Sequence, residues 1–414
     1  MPLLKVGPDI FQSARDLDLM GYYRTFNAYQ SGGAAADTLI GGSKNDKLEG
    51  GAGDDTLTGG IGDDWLTGGA GGDFLIGGSG HDVASYIDSP DAVNINLASN
   101  TGSDNDASNA AQADSVGDTF SEIEQINGSL YADQMVGDDT GNEFYGYDGN
   151  DKLFGVNGDD KLYGMQGDDY LYGGIGIDFL DGGAGADHIN GGAGNDEIHG
   201  GTGNDYLYGE SGRNDIYGGL GDDQIYGGDQ TDALAGEDGN DTISGGGEWD
   251  NIWGDDGNDT LHGDAGDDII DGGEGNDTIL GGEGNDYLGG SKDAGNDIFF
   301  GGVGADTVRG GAGDDSIYSD SATLKTADVF QYEVFQDSGN DKIYDFDAKN
   351  DILCFIGTTS NAKEVSIDHT AEGWLKLDFE GGSVTIVGNS ELGKVQNVTQ
   401  FHDAVNVQYD NGVF

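Results

Sequence analysis

A nine-residue repeat runs through residues 128–289 without an insertion or deletion and gives eighteen consecutive units. Each unit has glycine at position 1, usually glycine at position 4, an acid or asparagine at position 6 and a large apolar residue at position 8. Position 6 is aspartate in sixteen of the eighteen units, and Asn142 and Asn214 are the exceptions. A fixed period of this length is typical of repeat folds that stack one small structural unit on the next.

The repeat length predicts two short strands and two turns in every eighteen residues. Position 8 is predicted to point into a core, while positions 7 and 9 point outward, because successive side chains of a strand alternate between its faces. Residues eighteen apart then stack directly. The outward aromatic pairs Tyr145 with Tyr163 and Tyr208 with Tyr226 are expected to lie side by side. The period therefore predicts an all-β fold built as a parallel β-solenoid.

The remaining segments divide the chain into five parts. A first repeat block covers residues 32–85, and a spacer or enlarged coil at 86–127 separates it from a second block at 128–318, which includes one eleven-residue unit at 290–300. Residues 1–31 are predicted to cap the open end of the array, with a helix suggested by the spacing of Ile10, Phe11, Ala14 and Leu17. Glycine becomes sparse and alternating strands appear in residues 319–414, which predicts an all-β C-terminal region.

The composition is unusual in charge and in glycine. The chain has 414 residues, of which 81 are glycine, and its formal net charge is −63. A compact state with that charge repels itself unless cations bind, and it is a poor partner for nucleic acid or an anionic membrane. No apolar stretch is long enough to span a bilayer, no N-terminal signal peptide is visible, and the single Cys354 excludes an internal disulfide.

The turns have the composition of a site for a hard cation. Glycines at positions 1, 2 and 4 allow backbone angles that other residues avoid and let carbonyl oxygens point inward. Position 6 adds a carboxylate, so the donors are all oxygens, which suits Ca²⁺ better than Mg²⁺ or Zn²⁺. One turn supplies too few ligands, whereas two turns stacked eighteen residues apart can supply six. We therefore expect multiple Ca²⁺ ions to link successive coils.

The nonamer G-G-x-G-x-D-x-U-x closely resembles the RTX repeat, also called the hemolysin-type calcium-binding repeat, over residues 32–85 and 128–318. The resemblance implies a right-handed parallel β-roll that is unfolded at low Ca²⁺ and folded at millimolar Ca²⁺. The segments DVFQY and DKIYDFDAKNDIL resemble the region after the repeats in serralysin-type secreted proteins. They imply extracellular localisation through a type I secretion apparatus that recognises an uncleaved C-terminal signal.

The resemblance also implies which residues bind the metal. The expected ligands are the position-6 aspartates of well-formed turns, together with turn carbonyls, and on the order of 15–20 ions are expected. These aspartates are Asp55, Asp64, Asp73, Asp82, Asp151, Asp160, Asp169, Asp178, Asp187, Asp196, Asp205, Asp223, Asp241, Asp259, Asp268, Asp277, Asp286, Asp297, Asp306 and Asp315.

Three turns on one edge depart from the pattern. They begin at Gly209, Gly227 and Gly245, and they carry Asn214 at position 6 or a residue other than glycine at position 4. We expect missing or altered Ca²⁺ binding there, through neutral drift or because a partner or glycan binds beside Trp249 and Trp253.

No catalytic site is expected. The chain lacks H-E-x-x-H and G-x-S-x-G, its six histidines are scattered, and it has no long apolar pore-forming segment. Two non-enzymatic functions remain. The first is a structural or adhesive role at the cell surface or in the matrix. The second is a polysaccharide-binding module or an accessory part of an extracellular carbohydrate-active or proteolytic system.

Overall fold

The computed structural model describes residues 15–17, 23–25, 28–103, 114–289, 294–320, 327–333, 339–344, 346, 351–356, 366–369, 375–379, 382–386 and 406–410. All of the regular elements in this described part are β-strands. The chain forms two compact units, residues 1–201 and 202–414. No helix among the described residues has the length and apolarity needed to cross a membrane.

The first unit contains two faces of strands, all paired in parallel except that Thr101–Ser103 pairs with Asn94–Asn96 in antiparallel fashion. One face is a single sheet, whose strands in order are Ala28–Gly33, Asp46–Ala52, Trp65–Ala70, Val83–Ser85, Gln125–Asn127, Glu143–Asp148, Lys161–Gln166 and Phe179–Ala184. The other face has two sheets. The first comprises Thr38–Ser43, Thr56–Ile61, Phe74–Ser79 and Thr119–Ser121. The second comprises Thr101–Ser103, Asn94–Asn96, Gln134–Val136, Lys152–Asn157, Tyr170–Ile175 and His188–Ala193. The strand Glu197–Thr202 lies at the boundary of the two units.

The strands pair in the register that the nine-residue period predicts. Leu153 lies beside Leu171, and Leu162 lies beside Leu180, in each case eighteen residues along the chain. Position-8 side chains are buried throughout both blocks, so they form the apolar core between the faces. The outward pair Tyr145 and Tyr163 also stacks as predicted, with ring centroids 4.7 Å apart. The all-β parallel solenoid is therefore confirmed.

The segment between the two repeat blocks contributes strands that pair with the repeat strands on both faces. Val83–Ser85 pairs in parallel with Gln125–Asn127, and Phe74–Ser79 pairs with Thr119–Ser121. The first face thus runs through this segment unbroken, although more than forty residues separate the paired strands. Residues 104–113, which the sequence analysis assigned to a polar loop, lie outside the described part.

The second unit has the same arrangement. One sheet contains Asp215–Leu220, Ala233–Asp238, Asn251–Asp256, Ile269–Asp271, Tyr287–Leu288, Thr307–Val308, Val329–Glu333, Ile352–Ile356 and Asn406–Asp410. The other contains Tyr206–Ser211, Gln224–Gly228, Thr242–Gly247, Thr260–Ala265, Thr278–Glu283, Ile298–Val303, Ser316–Asp320, Gly339–Tyr344 and Gly382–Ile386. Leu375–Phe379 and Ser366–His369 extend the latter sheet in antiparallel fashion.

The C-terminal strands of the second unit continue the sheets of the repeats. Phe330 pairs in parallel beside Val308, and Ile343 pairs beside Ile317, so the apolar core extends past residue 318. The eleven-residue repeat leaves the pairing intact but increases the sequence separation of the paired residues, because Ile279 lies beside Phe299, twenty residues away. After residue 319 the sequence separation between paired strands therefore increases, while the parallel pairing of Phe330 and Ile343 with the repeats continues.

The helix suggested near the N-terminus is wrong in its described portion. Arg15–Leu17 is a strand that pairs in antiparallel fashion with Tyr23–Thr25. Pairing between strands satisfies the backbone of this short segment, whereas only four apolar residues supported the helical spacing. Residues 1–14 lie outside the described part. The first strand of the roll begins at Ala28, within the segment expected to form the cap.

Two of the glycines at position 2 differ in how closely the neighbouring coil approaches them. Gly42 and Gly60 both adopt a left-handed backbone conformation, with φ of 110° and 114°. A Cβ atom on Gly60 would lie 2.4 Å from the carbonyl oxygen of Gly42, whereas nothing lies within 4 Å of a Cβ atom on Gly42. Both sites therefore disfavour a side chain through backbone strain, but only Gly60 also excludes it by overlap with the neighbouring coil.

This pair separates the two effects experimentally. We expect Gly42→Ala to lower the free energy of unfolding by about 1 kcal/mol through backbone strain. Gly60→Ala has the same strain and also displaces a carbonyl, so it should cost about 1–3 kcal/mol more. Urea unfolding at saturating Ca²⁺ measures both values. Equal losses would contradict the close approach of the coils at Gly60.

Candidate calcium sites

The position-6 aspartates lie at the start of strands, and one carboxylate oxygen of each ties it to the preceding coil. The main-chain N–H of Asp151 donates to Oδ1 of Asp169 at 2.7 Å, and that of Asp241 donates to Oδ1 of Asp259 at 2.8 Å. The bond satisfies an N–H group that would otherwise be buried without a partner. Repeated along each edge of a unit, these bonds align the carboxylates in rows.

The other carboxylate oxygen, Oδ2, has no hydrogen-bond donor in sixteen of these turns. The side chains involved are all buried. They are Asp55, Asp64, Asp73, Asp82, Asp151, Asp160, Asp169, Asp178, Asp223, Asp232, Asp241, Asp250, Asp259, Asp268, Asp277 and Asp286. Burying an ionised oxygen without compensation costs several kcal/mol, so each of these turns requires a cation or a proton.

A main-chain carbonyl oxygen from the next coil lies near Oδ2 of the position-6 aspartate. A Cβ atom on Gly155 would lie 2.2 Å from Oδ2 of Asp160 and 2.6 Å from the carbonyl oxygen of Gly173. In the second unit, a Cβ atom on Gly254 would lie 2.4 Å from Oδ2 of Asp259 and 2.4 Å from the carbonyl oxygen of Gly272. Carboxylate and carbonyl oxygens from two coils therefore converge beside these position-1 glycines. This donor set fits a hard divalent cation such as Ca²⁺.

No described site uses side chains alone. Within the described ranges, no three aspartate, glutamate, histidine or cysteine side chains come together as a metal-binding group. An ion in these turns therefore needs main-chain oxygens as well as carboxylates. The glycines contribute to such a site by leaving space for the carbonyl groups to approach one another.

Burial raises the pKa of the position-6 carboxyl groups. The pKa is raised to about 8 for Asp151 and to about 7 for Asp160 and Asp259. Loss of hydration is the largest cause; the hydrogen bond from the preceding coil lowers the pKa, and neighbouring carboxylates raise it. An aspartate in an unfolded chain has a pKa of about 3.9.

The direction of this shift fixes how the metal-free fold responds to pH. The folded chain holds protons that the unfolded chain releases, so these groups favour folding at low pH. That contribution is fully present below about pH 4 and is lost as the pH rises through 7 to 8. At neutral or higher pH, a bound cation takes over the role of the proton.

All twenty aspartates predicted as ligands are buried at the end of a turn. Fourteen of them belong to the sixteen residues whose Oδ2 lacks a donor. Asp187, Asp196, Asp205, Asp297, Asp306 and Asp315 are buried at equivalent positions and have further interactions.

Two of the three turns expected to show altered Ca²⁺ binding have the regular arrangement of oxygens. A Cβ atom on Gly227 would lie 2.6 Å from Oδ2 of Asp232 and 2.6 Å from the carbonyl oxygen of Gly245, which matches the regular turns. Asp250 has the same arrangement beside Gly245. Glu248 accommodates the missing position-4 glycine by adopting a positive φ of 64°. The position-6 residue therefore determines the donor set, and among these three turns only that of Asn214 differs.

Several acidic residues of the same rows were not predicted. Asp46, in a degenerate repeat, is tied to the preceding coil like the predicted ligands. Its Oδ1 accepts a hydrogen bond from the main-chain N–H of Ala28 at 2.9 Å. Asp118 accepts from the N–H of Asp73 at 2.7 Å across the segment between the blocks. In the C-terminal region, Oδ1 of Asp328 accepts from the N–H of Asp306 at 3.1 Å. Asp341 and Asp351 continue these rows.

A sequence signal for these residues does exist. Asp118, Asp328 and Asp341 each stand two positions before a buried apolar residue, as position 6 stands before position 8. The glycines at positions 1 and 2 are missing, however, so a search for the whole nonamer passes over them. The aspartate and the inward apolar residue are thus the part of the motif that persists when the loops lengthen.

The stacked coils and their rows of buried aspartates define a β-solenoid with cation-binding turns. A family model for the RTX calcium-binding nonapeptide repeat matches residues 31–84, 145–288 and 293–322, which together are more than half of the chain. The chain belongs to this RTX repeat family, and its repeats bind Ca²⁺. No match was found among curated proteins.

Two solved structures show weak similarity. The AlgE6R3 subunit of the Azotobacter vinelandii mannuronan C5-epimerase is 22% identical, with a TM-score of 0.20; the match covers 38% of this chain and 84% of that one. The extracellular lipase LipA of Serratia marcescens is 20% identical, with a TM-score of 0.19; that match covers 48% of this chain and 40% of the lipase. Similarities this weak say nothing about function.

Proposed function

We propose that this chain is a secreted protein that folds as Ca²⁺ fills its turns and then has a structural or adhesive role at the cell surface or in the extracellular matrix. The role proposed is non-catalytic. The observation that carries the proposal is the set of sixteen buried aspartates whose Oδ2 atoms lack a donor. A fold with so many uncompensated carboxylates depends on cations for its stability, because binding free energy then becomes folding free energy.

The proposed ligands are the twenty aspartates predicted from the sequence, with Asp232 and Asp250 added. Each would act with turn carbonyl oxygens, such as those of Gly173 and Gly272, that face the carboxylates. The net charge of −63 supports the same proposal, because bound divalent cations reduce the repulsion between neighbouring rows.

Calcium-dependent folding can be tested by titration. Metal-stripped protein at pH 8 is expected to lack β-structure by circular dichroism and to gain it as Ca²⁺ reaches millimolar concentration. Asp160→Asn removes a buried carboxylate and should lose one ion by native mass spectrometry. Asp159→Asn is the matched control, because Asp159 is exposed and its Oδ1 accepts from the N–H of Ile177, a bond that asparagine keeps. Full β-structure in the presence of a chelator would contradict the proposal.

We also propose that a type I secretion apparatus exports the chain, guided by its C-terminal region. The support is the resemblance of residues 319–414 to the region after the repeats in serralysin-type proteins, together with the family of the repeats. Low cytosolic Ca²⁺ would keep the chain unfolded for export, and external Ca²⁺ would fold it on arrival. The final residues 411–414 lie outside the described part.

A small deletion tests the export signal. Removing residues 411–414 leaves the last described strand, Asn406–Asp410, complete. In a bacterium that carries a type I exporter, this deletion is expected to abolish release of the protein into the medium. Deletion of residues 1–4 is the control and should leave release unchanged. Release of the C-terminally shortened chain at the normal level would refute an export signal that ends in this tail.

A second candidate function, binding of a neutral polysaccharide, is favoured by one outward row in the second unit. Tyr217, Ala235 and Trp253 are adjacent in register, and Asp271 follows them. Tyr217 and Trp253 are 36% and 38% exposed, and the small Ala235 between them leaves space beside the indole. Sugar rings commonly stack on such aromatic surfaces. The strongly negative charge of the chain disfavours acidic polysaccharides.

Binding to immobilised neutral polysaccharides at millimolar Ca²⁺ tests this candidate. Trp253→Ala is expected to reduce retention at least tenfold, because it removes the exposed ring. Tyr226→Ala is the control, since Tyr226 is 37% exposed but stacks on Tyr208 with ring centroids 5.0 Å apart. If no polysaccharide retains the wild-type protein, or if both variants bind equally well, the row is not a polysaccharide site.

A further inference from the structure

Three turns in the rows of acidic residues contain a protein donor at the place where the sixteen turns described above have an unsatisfied oxygen. The first involves Tyr86, which is almost fully buried. Its hydroxyl group donates to Oδ2 of Asp118 at 2.7 Å, while Oδ1 of Asp118 accepts from the main-chain N–H of Asp73. Both oxygens of Asp118 are therefore satisfied by the protein. Burial also raises the pKa of Tyr86, which keeps the hydroxyl protonated as a donor.

The second turn contains Asp133, whose carboxylate receives three bonds. The main-chain N–H of Ser129 donates to Oδ2 at 2.6 Å, and the Ser129 hydroxyl donates to Oδ1 at 2.7 Å. The N–H of Val93 donates to the same Oδ1 at 2.7 Å. Ser129 occupies position 2 of its repeat, where most units have glycine. Its N–H group and its hydroxyl group thus do together what a cation does in a regular turn.

The third turn contains Asn214, which has nearly the shape of aspartate but carries an amide. A Cβ atom on Gly209 would lie 2.4 Å from Nδ2 of Asn214 and 2.4 Å from the carbonyl oxygen of Gly227. Nδ2 donates to the carbonyl oxygens of Gly212 at 3.3 Å and Gly227 at 3.5 Å. The opposite amide orientation would place Oδ1 against both carbonyls, so these acceptors fix the orientation.

The usual attachment between coils is kept at this turn. The main-chain N–H of Asn214 donates to Oδ1 of Asp232 at 2.7 Å, as an aspartate does at this position elsewhere. Only the charge at the second side-chain atom differs, from a negative oxygen to a partly positive N–H group. A cation placed there would meet that N–H group and would lose a carboxylate ligand.

We propose that Tyr86, Ser129 and Asn214 take the place of calcium, so that the turns of Asp118, Asp133 and Asn214 link their coils without a metal ion. This inference rests on the proposed binding of Ca²⁺ in the regular turns. In the first unit, the links at Asp118 and Asp133 lie between the carboxylate rows of the two repeat blocks. Groups of coils that are linked by calcium are thus joined to one another by hydrogen bonds that do not require the ion.

Counting bound ions tests the proposal at Asn214. Asn214→Asp restores the carboxylate of the motif, and we expect native mass spectrometry at saturating Ca²⁺ to show one more ion than the wild-type protein. Asn204→Asp is the matched control, because it makes the same charge change at an exposed position whose Oδ1 already accepts from the N–H of Asp222. It should add no ion. An unchanged count in folded Asn214→Asp, or an equal gain in the control, would overturn the proposal.

A variant at another turn keeps the test decisive if Asn214→Asp does not fold. Tyr86→Phe keeps the buried ring but removes the donor to Asp118, so one additional ion is expected there. Tyr145→Phe is its control, because the Tyr145 hydroxyl contacts Glu143 and not a position-6 aspartate. If Tyr86→Phe is folded in Ca²⁺ and binds the wild-type number of ions, the tyrosine does not substitute for calcium. Loss of folding in Tyr86→Phe at every Ca²⁺ concentration would equally refute replacement of the hydroxyl group by the ion.

If calcium binding to the regular turns itself fails, the wild-type protein will bind no Ca²⁺ and will not respond to the ion by circular dichroism. That result is distinct from failure of the present inference, in which the wild-type protein binds many ions and the variants change nothing. The two hypotheses can therefore be rejected separately with the same instruments.

Discussion

The structure depends on a conflict within each position-6 carboxylate. One oxygen accepts a hydrogen bond from a main-chain N–H of the preceding coil, as Oδ1 of Asp169 does from Asp151. This bond holds the carboxylate in the interior of the turn. The other oxygen is then buried beside carbonyl oxygens, which repel it. The geometry that stacks the coils thus also creates the demand for positive charge, so structural order and cation binding arise from the same side chain.

Much of this arrangement follows from the sequence. The period of nine places Leu153 beside Leu171 and buries position 8, because a repeated strand and turn leave one register that hides every apolar residue. Glycine and aspartate at fixed positions of the repeat also predict turns that are lined by carbonyl and carboxylate oxygens. These conclusions need only local chemistry and a constant spacing, and both are visible in the printed chain.

Other features depend on contacts that spacing does not encode. The pairing of Val83–Ser85 with Gln125–Asn127 spans a segment without the motif, and Asp328 joins its row from a region that lacks the nonamer. Asp232 keeps regular geometry although its turn lacks the position-4 glycine. The N-terminal helix was suggested by four apolar residues, too few to outweigh strand pairing at Arg15–Leu17. Tertiary pairing decides each of these cases.

The unequal steps between paired strands have a further consequence. Core residues eighteen apart pair in most coils, yet Leu75 pairs with Phe120 and Ile317 pairs with Ile343 with the same side-by-side packing. Paired strands therefore keep the same packing whatever the number of residues that connects them. Evolution or an engineer can lengthen a connection at such points and leave the core unaltered, which makes these loops natural places to graft a peptide or an entire guest domain.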